Sequence, residues 1–154
     1  MKVVLDTSAL FVLEQVPSDW EAFVTDGVLA ELEKYKDRRA DHLLPLLKVS
    51  QATSRTINIV KQAAKGTGDT ARLSPVDVEV LALALEIEAK IITDDYSIQN
   101  LATVLKVEYL PMNMKGITKV IRWNYLCTGC GKVFKEQHAD CPICGSLLRT
   151  TRRR

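Results

Sequence analysis

The four cysteines of this 154-residue chain lie in one short segment and are spaced to hold a metal ion. They form two pairs, Cys127-Thr-Gly-Cys130 and Cys141-Pro-Ile-Cys144, with ten residues between the pairs. A glycine follows the second cysteine of each pair, which permits the tight turn that brings two thiolates and backbone N–H groups around one ion. The pattern predicts one structural zinc ion, held by all four thiolates in a small ribbon.

Two other interpretations of the cysteine segment are weaker. Two disulfides or a redox pair would suit a secreted protein, but the apolar run at residues 3–5 is far too short for a signal peptide, and intracellular thiols stay reduced. A module of about 30 residues with so little core also needs a metal to fold. His138 lies between the pairs and could replace a cysteine, but four thiolates already complete a zinc site.

Acidic residues follow two apolar β-branched runs, at the places where strands of an α/β sheet would end. Asp6 comes directly after residues 3–5, and Asp94 and Asp95 come directly after residues 91–93. Ligands and metals bind at the carboxyl ends of strands in parallel sheets. One of these acids could serve only as a helix cap, but the repetition of the arrangement favours a functional site.

Glu31 and Asp77 are candidates for the same acidic site, although each has a simple structural explanation. Glu31 alone is an ordinary helix-surface residue, and Asp77 follows Ser74 and Pro75 as the first turn of a helix requires. Four carboxylates brought together from distant segments would repel one another unless cations neutralised them. Oxygen ligands suit Mg²⁺ or Mn²⁺, which can hold a phosphodiester, activate a water and stabilise the leaving oxygen.

The elements that must position these residues alternate between strands and helices, which predicts a parallel α/β sheet flanked by helices. The helix at residues 76–89 is apolar on nearly every face, so we expect it to be buried against the sheet. Strands are predicted at residues 2–5, 22–25, 90–93 and 107–110, and helices at residues 9–12, 43–47, 57–64, 76–89 and 96–106.

The charge changes sign along the chain at a break in the pattern of elements. Residues 1–112 contain 12 Lys and Arg against 17 Asp and Glu, a net charge of −5, whereas residues 113–154 contain 9 against 2, a net charge of +7. The basic part suits a polyanion, and the acidic part suits cations. We therefore predict a catalytic domain at 1–110, a linker at 111–119, a zinc ribbon at 120–150 and a basic tail at 151–154.

Basic and aromatic residues of the second part suit RNA, whose bases stack on aromatic rings and whose phosphates pair with cations. Trp123 could instead pack between the domains, Phe134 could be ribbon core, and the last arginines could form a solvated tail. The predicted RNA-contacting residues are Arg122, Trp123, Lys132, Lys135, Arg149, Arg152 and Arg153.

Residues 1–110 resemble the PIN-domain ribonucleases, in which an Asp follows the first strand, a Glu lies on an early helix, and two further acids follow. The matching segments are LDTSAL with Asp6, LAEL with Glu31, LSPVDVEVLALALE with Asp77, and ITDDYSIQN with the last acid. The resemblance implies a PIN-like fold and a divalent metal held by these acids. The fourth acid is either Asp94 or Asp95, and the closeness of Asp94 to the strand end favours it.

With the segment YLPMNMKGI and the four-cysteine ribbon, the resemblance extends over the whole chain to the PIN endonucleases that mature the 3′ end of small-subunit ribosomal RNA, in their compact archaeal form. It implies hydrolysis of one phosphodiester of the small-subunit rRNA precursor on a pre-ribosomal particle, in the cytoplasm and without a membrane anchor. The alternatives are a PIN ribonuclease of the toxin or messenger-RNA decay type, and a non-catalytic zinc-ribbon RNA-binding assembly factor.

Overall fold

The computed structural model describes residues 1–113 and 115–153, which form one parallel and one antiparallel sheet. The five strands of the first sheet are parallel and lie in the order β3-β2-β1-β4-β5. Their bounds are β1 Lys2–Leu5, β2 Glu21–Val24, β3 Lys48–Val49, β4 Lys90–Ile92 and β5 Tyr109–Leu110. Because β1 and β4 are neighbours with Leu5 paired to Ile92, the residues that follow these two strands meet at one edge.

Helices cover this sheet as the alternation of elements predicts. They are α1 Thr7–Leu10, α2 Asp26–Lys34, α3 Ser54–Thr67, α4 Pro75–Ile87 and α5 Tyr96–Val104, with 3-10 turns at Leu44–Leu46 and Asp69–Ala71. In α4 the five consecutive residues Val80 to Ala84 are buried, and the helix contacts β1 and β4 as well as α2, α3 and α5. The predicted burial of this apolar helix is confirmed.

Two predicted elements differ from the structure. The predicted helix at residues 43–47 is only the 3-10 turn Leu44–Leu46, which contains Pro45, and β3 follows it without having been predicted. The strand predicted at residues 107–110 is limited to Tyr109–Leu110, because the amide of Val107 donates to the carbonyl of Ala102 and closes the end of α5. Both differences arise where contacts distant in sequence outweigh local preference.

The second sheet is the ribbon, with strands β6 Trp123–Cys127, β7 Val133–Phe134 and β8 Leu148–Arg152 in the order β7-β6-β8. All its pairings are antiparallel, and Trp123 lies opposite Arg152. The predicted division at residue 150 is therefore wrong, since β8 continues through Arg152. Of the predicted basic tail, Arg154 lies outside the described residues.

The connection between the sheets is held against the parallel sheet by side chains of the catalytic domain. Asp94 accepts hydrogen bonds from the amides of Met112 at 2.7 Å and Asn113 at 3.2 Å. The buried side chain of Gln99 accepts from the amide of Ile117 at 3.2 Å. The linker is thus an ordered part of the fold where it is described; Met114 lies outside the described residues.

Among the described helices, none combines the length and the apolar character that crossing a bilayer would demand.

Candidate functional site

Asp6 lies at the end of β1 and is 5% exposed, with its carboxylate fixed by two hydroxyl groups. Oδ2 accepts hydrogen bonds from Ser8 Oγ at 3.0 Å and from Thr93 Oγ1 at 2.8 Å. These hydroxyl oxygens in turn accept the amides of Asp94 at 3.2 Å and Asp95 at 3.0 Å. Two short relays therefore connect Asp6 to the segment that follows β4, as the strand-end argument predicted.

Burial raises the pKa of Asp6, and the hydrogen bonds from Thr93, the Thr7 amide and Ser8 oppose the shift. The charge of Asp95 adds to the increase, which means that the two carboxylates lie within electrostatic reach of each other. The chain thus folds an acid into a place where its ionised form is disfavoured, a common property of metal-binding and catalytic sites.

Asp77 combines the two roles that the sequence left open. Its Oδ2 accepts the amide of Ser74 at 2.8 Å, and its own amide donates to Ser74 Oγ at 3.1 Å, so the capping box at the start of α4 is present. Burial, together with the charges of Asp95 and Asp6, raises the pKa of Asp77 to about 6. The cap orients the carboxylate, and the charges of Asp95 and Asp6 act on it across a short distance.

Asp94 and Asp95 point to different surroundings, which bears on the alternative that the sequence left open. Asp94 accepts the linker amides of Met112 and Asn113. Asp95 caps α5 by accepting the amide of Ser97 at 2.7 Å, and its charge acts on both Asp6 and Asp77. The geometry favours Asp95 over Asp94 as the fourth acid, contrary to our preference from the sequence.

Glu31 is connected to the site through the residue next to Asp6. Thr7 Oγ1 donates to Glu31 Oε2 at 2.7 Å, which ties α2 to the beginning of α1. Glu31 is half-buried rather than fully exposed on the helix surface. The structure therefore links Glu31 to the residue after Asp6, although its charge is not among the causes of the raised pKa of Asp6 or Asp77.

The acidic site fits a divalent cation by its chemistry. Its donors are carboxylate oxygens, and none of the three ion pairs among the described residues neutralises Asp6, Asp77 or Asp95. A divalent ion would offset the burial and the mutual repulsion that together raise the pKa values of Asp6 and Asp77. The carboxylates do not converge on one point: among the described His, Cys, Asp and Glu residues, only the cysteines form a group of three or more whose ligand atoms all lie within 4.8 Å.

The four cysteines form that group, and the geometry fits a tetrahedral metal site. The Sγ atoms of Cys127 and Cys144 are 3.4 Å apart, and those of Cys130 and Cys141 are 3.7 Å apart. A disulfide would need about 2.05 Å, whereas four Zn–S bonds of about 2.3 Å place neighbouring sulfurs roughly 3.7 Å apart. The separations therefore fit a metal site better than disulfides, and all four cysteines are free in the structure.

The backbone around the cysteines stabilises thiolates. The amides of Gly129 and Cys130 donate to Cys127 Sγ at 3.3 and 3.4 Å, and the amide of Ile143 donates to Cys141 Sγ at 3.4 Å. The hydroxyl and amide of Ser146 lower the pKa of Cys144 to about 6. The glycine after each pair has a positive φ, 75° and 76°, as the predicted tight turns require.

The rings of Phe134 and His138, which lie between the two cysteine pairs in the sequence, contact each other. His138 packs edge-on against Phe134 with ring centroids 5.2 Å apart, and it is not a member of the cysteine group. Phe134 is half-buried, consistent with its predicted place in the ribbon core. The interpretation of His138 as a substitute ligand is not supported by this geometry.

The predicted RNA-contacting residues divide into two sets. Five are exposed cations of the linker end and ribbon: Arg122, Lys132, Lys135, Arg149 and Arg152. Trp123 and Arg153 instead make contacts between the domains. The guanidinium of Arg72 stacks on Trp123 at 3.9 Å from the ring centroid. Arg153 donates to the carbonyl of Trp123 at 2.9 Å, to Asn124 Oδ1 at 2.8 Å and to the carbonyl of Gly66 at 3.4 Å. These contacts occupy the guanidinium and make Arg153 an interdomain clamp.

Polar residues that sequence reasoning missed hold the ribbon on the catalytic domain. Asn100 donates to Asp69 Oδ2 at 2.9 Å and to the carbonyl of Ile121 at 2.8 Å, and it accepts the amide of Ile121 at 2.6 Å. Tyr125 donates its hydroxyl to the carbonyl of Gly68 at 2.8 Å. The signal that could have revealed them is the pair Gln99 and Asn100, two amides set between the buried Ile98 and Leu101.

A sequence profile described as the PIN domain of ribonuclease matches residues 3–87, the part that contains Asp6, Glu31 and Asp77. The chain belongs to the PIN-domain ribonucleases. An Endoribonuclease Nob1 of Pyrococcus abyssi is 39% identical over the whole chain and 96% of that relative. A Ribonuclease VapC1 of Thermoplasma acidophilum is 42% identical over 97% of this chain and 77% of that relative.

The fold of this PIN-domain ribonuclease agrees with a solved structure. VapBC-1 of nontypeable Haemophilus influenzae superposes with a TM-score of 0.55 at 17% identity, covering 72% of this chain and 98% of that one. This likeness confirms the predicted α/β fold. The family match and the relatives confirm the endoribonuclease class and set aside the non-catalytic alternative, and the cysteine geometry confirms the predicted four-cysteine cluster. As PIN nucleases are, the enzyme is dependent on a divalent metal.

Proposed function

We propose that this PIN-domain ribonuclease is a cytoplasmic enzyme that cuts the small-subunit rRNA precursor at its 3′ end, on a pre-ribosomal particle. The observation that carries the proposal is the combination, in one chain, of an acidic site and a basic four-cysteine ribbon locked to it. Relatives named Endoribonuclease Nob1 cover this whole combination at 34–39% identity in two archaea. The resemblance drawn from the sequence implies the small-subunit rRNA as substrate.

Asp6, Asp77 and Asp95, with Glu31 beside them, would hold Mn²⁺ or Mg²⁺. A bound ion of this kind supplies Lewis acidity at the phosphodiester and lowers the pKa of a water. Ser8 and Thr93 keep one oxygen of Asp6 occupied, which fixes the direction of its carboxylate. Because the pKa of Asp77 is about 6 without metal, this carboxylate is ionised and ready to bind a cation near neutral pH.

The four cysteines would hold one structural Zn²⁺. Four sulfur ligands with no open position are typical of structural zinc rather than catalytic zinc. The apolar residues of the ribbon with low exposure are few, since Tyr125, Cys127 and Cys141 are its only fully buried ones among the described residues. Metal binding would therefore supply much of the folding free energy of the ribbon.

The exposed cations of the ribbon would bind a segment of the RNA at a distance from the segment in the acidic site. Lys132, Lys135 and Arg149 lie on the ribbon and make no ion pair among the described residues. Electrostatic contacts of this kind bind phosphates without reading sequence. The choice of one cleavage position would then depend on the geometry between ribbon and acidic site, and on the particle that presents the RNA.

Cleavage of an RNA that spans the small-subunit 3′ end tests the proposal directly. With Mn²⁺ the wild-type protein should cut this RNA at one position, and Asp6→Asn should abolish cutting while leaving binding intact. Glu31→Gln should also lose activity, and Glu33→Gln, an exposed acid two positions along the same helix, is the matched control. Cutting at many positions of unrelated RNAs, with no preference for the rRNA end, would contradict the proposal.

A second candidate function is a ribonuclease of the toxin type. The observation in its favour is that a relative named Ribonuclease VapC1 also aligns over 97% of this chain, including the ribbon. A toxin would cut free RNA without a ribosomal particle and would require an antitoxin protein to restrain it. Growth arrest on expression, relieved by a co-expressed partner, would favour this candidate over rRNA maturation.

A further inference from the structure

A cleft lies where the catalytic domain, the linker and the ribbon meet. It has a volume of about 460 Å³, and each of the three parts contributes lining residues. This volume is in the range of pockets that hold one small organic ligand, about 300–1,000 Å³. Four cations line it: Arg72, Lys115, Lys119 and Arg152.

The charge of this junction cleft favours a polyanion. None of the ion pairs among the described residues involves its four cations. The acid in its lining is Asp69, which is 1% exposed and whose Oδ1 makes no hydrogen bond. Burial raises the pKa of Asp69, while the side chains of Thr67, Asn100 and Trp123 oppose the shift. Whatever its protonation, one buried carboxyl group cannot balance four cations, so the cleft is positive.

An exposed aromatic ring joins the cleft to the acidic site. Tyr96 is 46% exposed and follows Asp95 directly, at the start of α5. Ser97 also lines the cleft, and its amide is the donor to Asp95 Oδ1 at 2.7 Å. The cleft therefore begins one residue from an acid of the candidate metal site. A polyanionic chain could reach from the positive cleft to a cation held at the acidic site.

We propose that the junction cleft binds one unpaired nucleotide of the RNA substrate next to the scissile phosphate, with the base on Tyr96 and the flanking phosphates on Lys115 and Lys119. The proposal rests on the proposed endoribonuclease function and adds to it a binding site for one nucleotide beside the acidic site. Base stacking on an aromatic ring requires an unpaired base, and a duplex buries its bases in its own stack.

Binding measurements on a cleavage-dead chain test the cleft without requiring any particular cutting site. The zinc-loaded, full-length Asp6→Asn variant is titrated against a fluorescent eight-nucleotide oligouridine and against a blunt RNA duplex. Adding Tyr96→Ala should weaken binding of the single strand by roughly 5- to 100-fold, as loss of one stacked base does, and change duplex binding little. Tyr96→Phe keeps the ring and should bind like the parent.

The lysines are tested by the salt dependence of binding. Lys115→Ala with Lys119→Ala should lower the slope of log affinity against log salt by about 1.4, since each phosphate contact of a single strand contributes about 0.7. Lys34→Ala with Lys61→Ala is the matched control, because both lysines are exposed and neither lines the cleft. The slope of the control should not change.

Three results would overturn the proposal: single-strand affinity within twofold of the parent for Tyr96→Ala, an unchanged slope for the cleft lysines, or equal losses for duplex and single strand. A melting curve on each variant confirms that it is folded. Failure here is distinguishable from failure of the proposed function. Site-specific cutting of the rRNA end could persist with a cleft that binds nothing, and the cleft could bind single strands in an enzyme that does not cut rRNA.

Discussion

Replacement of Asp77 by Asn separates its capping role from its role in the acidic site. An Asn oxygen can still accept the amide of Ser74, so the capping box is retained while the charge is removed. The pKa of Asp77 is raised from 3.8 to about 6, which corresponds to about 3 kcal/mol of destabilisation of the folded, metal-free protein above pH 6. Because the carboxylate is partly solvated, we discount this to roughly 1–2 kcal/mol.

The sign of the effect follows from the raised pKa. Below pH 3.8 the carboxyl group is protonated in both states and costs nothing, and the penalty grows until the pH passes the folded pKa of about 6. In metal-depleted buffer at pH 7.5, Asp77→Asn should therefore raise the melting temperature, by about 2–8 °C at 2–4 °C per kcal/mol for a chain of this size. At pH 5 the gain should fall by about half.

Manganese should reverse the order of stability. An ion present at about 100 times its dissociation constant stabilises the folded state by about 2.7 kcal/mol, and Asp77→Asn should lose most of this. Thermal melting followed by circular dichroism, with the zinc left in place, measures all arms. Asp77→Ala, which removes both cap and charge, is the comparison. If Asp77→Asn melts no higher than wild type at pH 7.5 and does not differ from wild type in its response to Mn²⁺, Asp77 is only a cap.

Three further predictions address the fourth acid, the zinc and the domain contact. Asp95→Asn should abolish cleavage in assays with Mn²⁺, whereas Asp94→Asn, which keeps its linker hydrogen bonds, should retain most activity; the reverse order would restore the preference drawn from the sequence. Cys144→Ser should unfold the ribbon in amide NMR spectra while the parallel sheet keeps its signals, and loss of both together would contradict separate folding units. Tyr125→Phe should lower the free energy of unfolding by about 0.5–1.5 kcal/mol, since the carbonyl of Gly68 loses its donor, and no change in a urea titration would refute this.

The features that could be predicted from the sequence are those fixed by short-range pattern. Asp6 follows a β-branched run that predicts a buried strand. The spacing within the two CxxC pairs determines how their thiolates are brought together. Asp77 could be placed as part of the helix cap, because Ser74 and Pro75 mark the start of the helix. In each case a few neighbouring residues determine the conformation, so no knowledge of distant contacts was needed.

The features that could not be predicted depend on partners far away in sequence. Asp94 and Asp95 both follow a strand, and the sequence alone does not distinguish them. Only the position of the linker at residues 112–113 shows that Asp94 accepts its backbone amides. Arg153 looks like one more cation of a basic tail until the carbonyls that it binds, among them that of Gly66, are known. Charge density predicts an affinity for phosphate but cannot tell which cations are already used within the protein.

The ribbon is fastened at both of its ends. Before its first strand, the side chain of Asn100 makes hydrogen bonds to both the amide and the carbonyl of Ile121. After its last strand, Arg153 donates to the carbonyl of Gly66. Contacts at both ends restrict rotation of the ribbon relative to the catalytic domain more than a single contact would. These contacts constrain the distance between the cysteine cluster and the acidic site, which under the proposed function would let the protein measure a length of RNA. An RNA gripped by the ribbon would be cut at a set number of nucleotides from that grip, whatever the letters of its sequence.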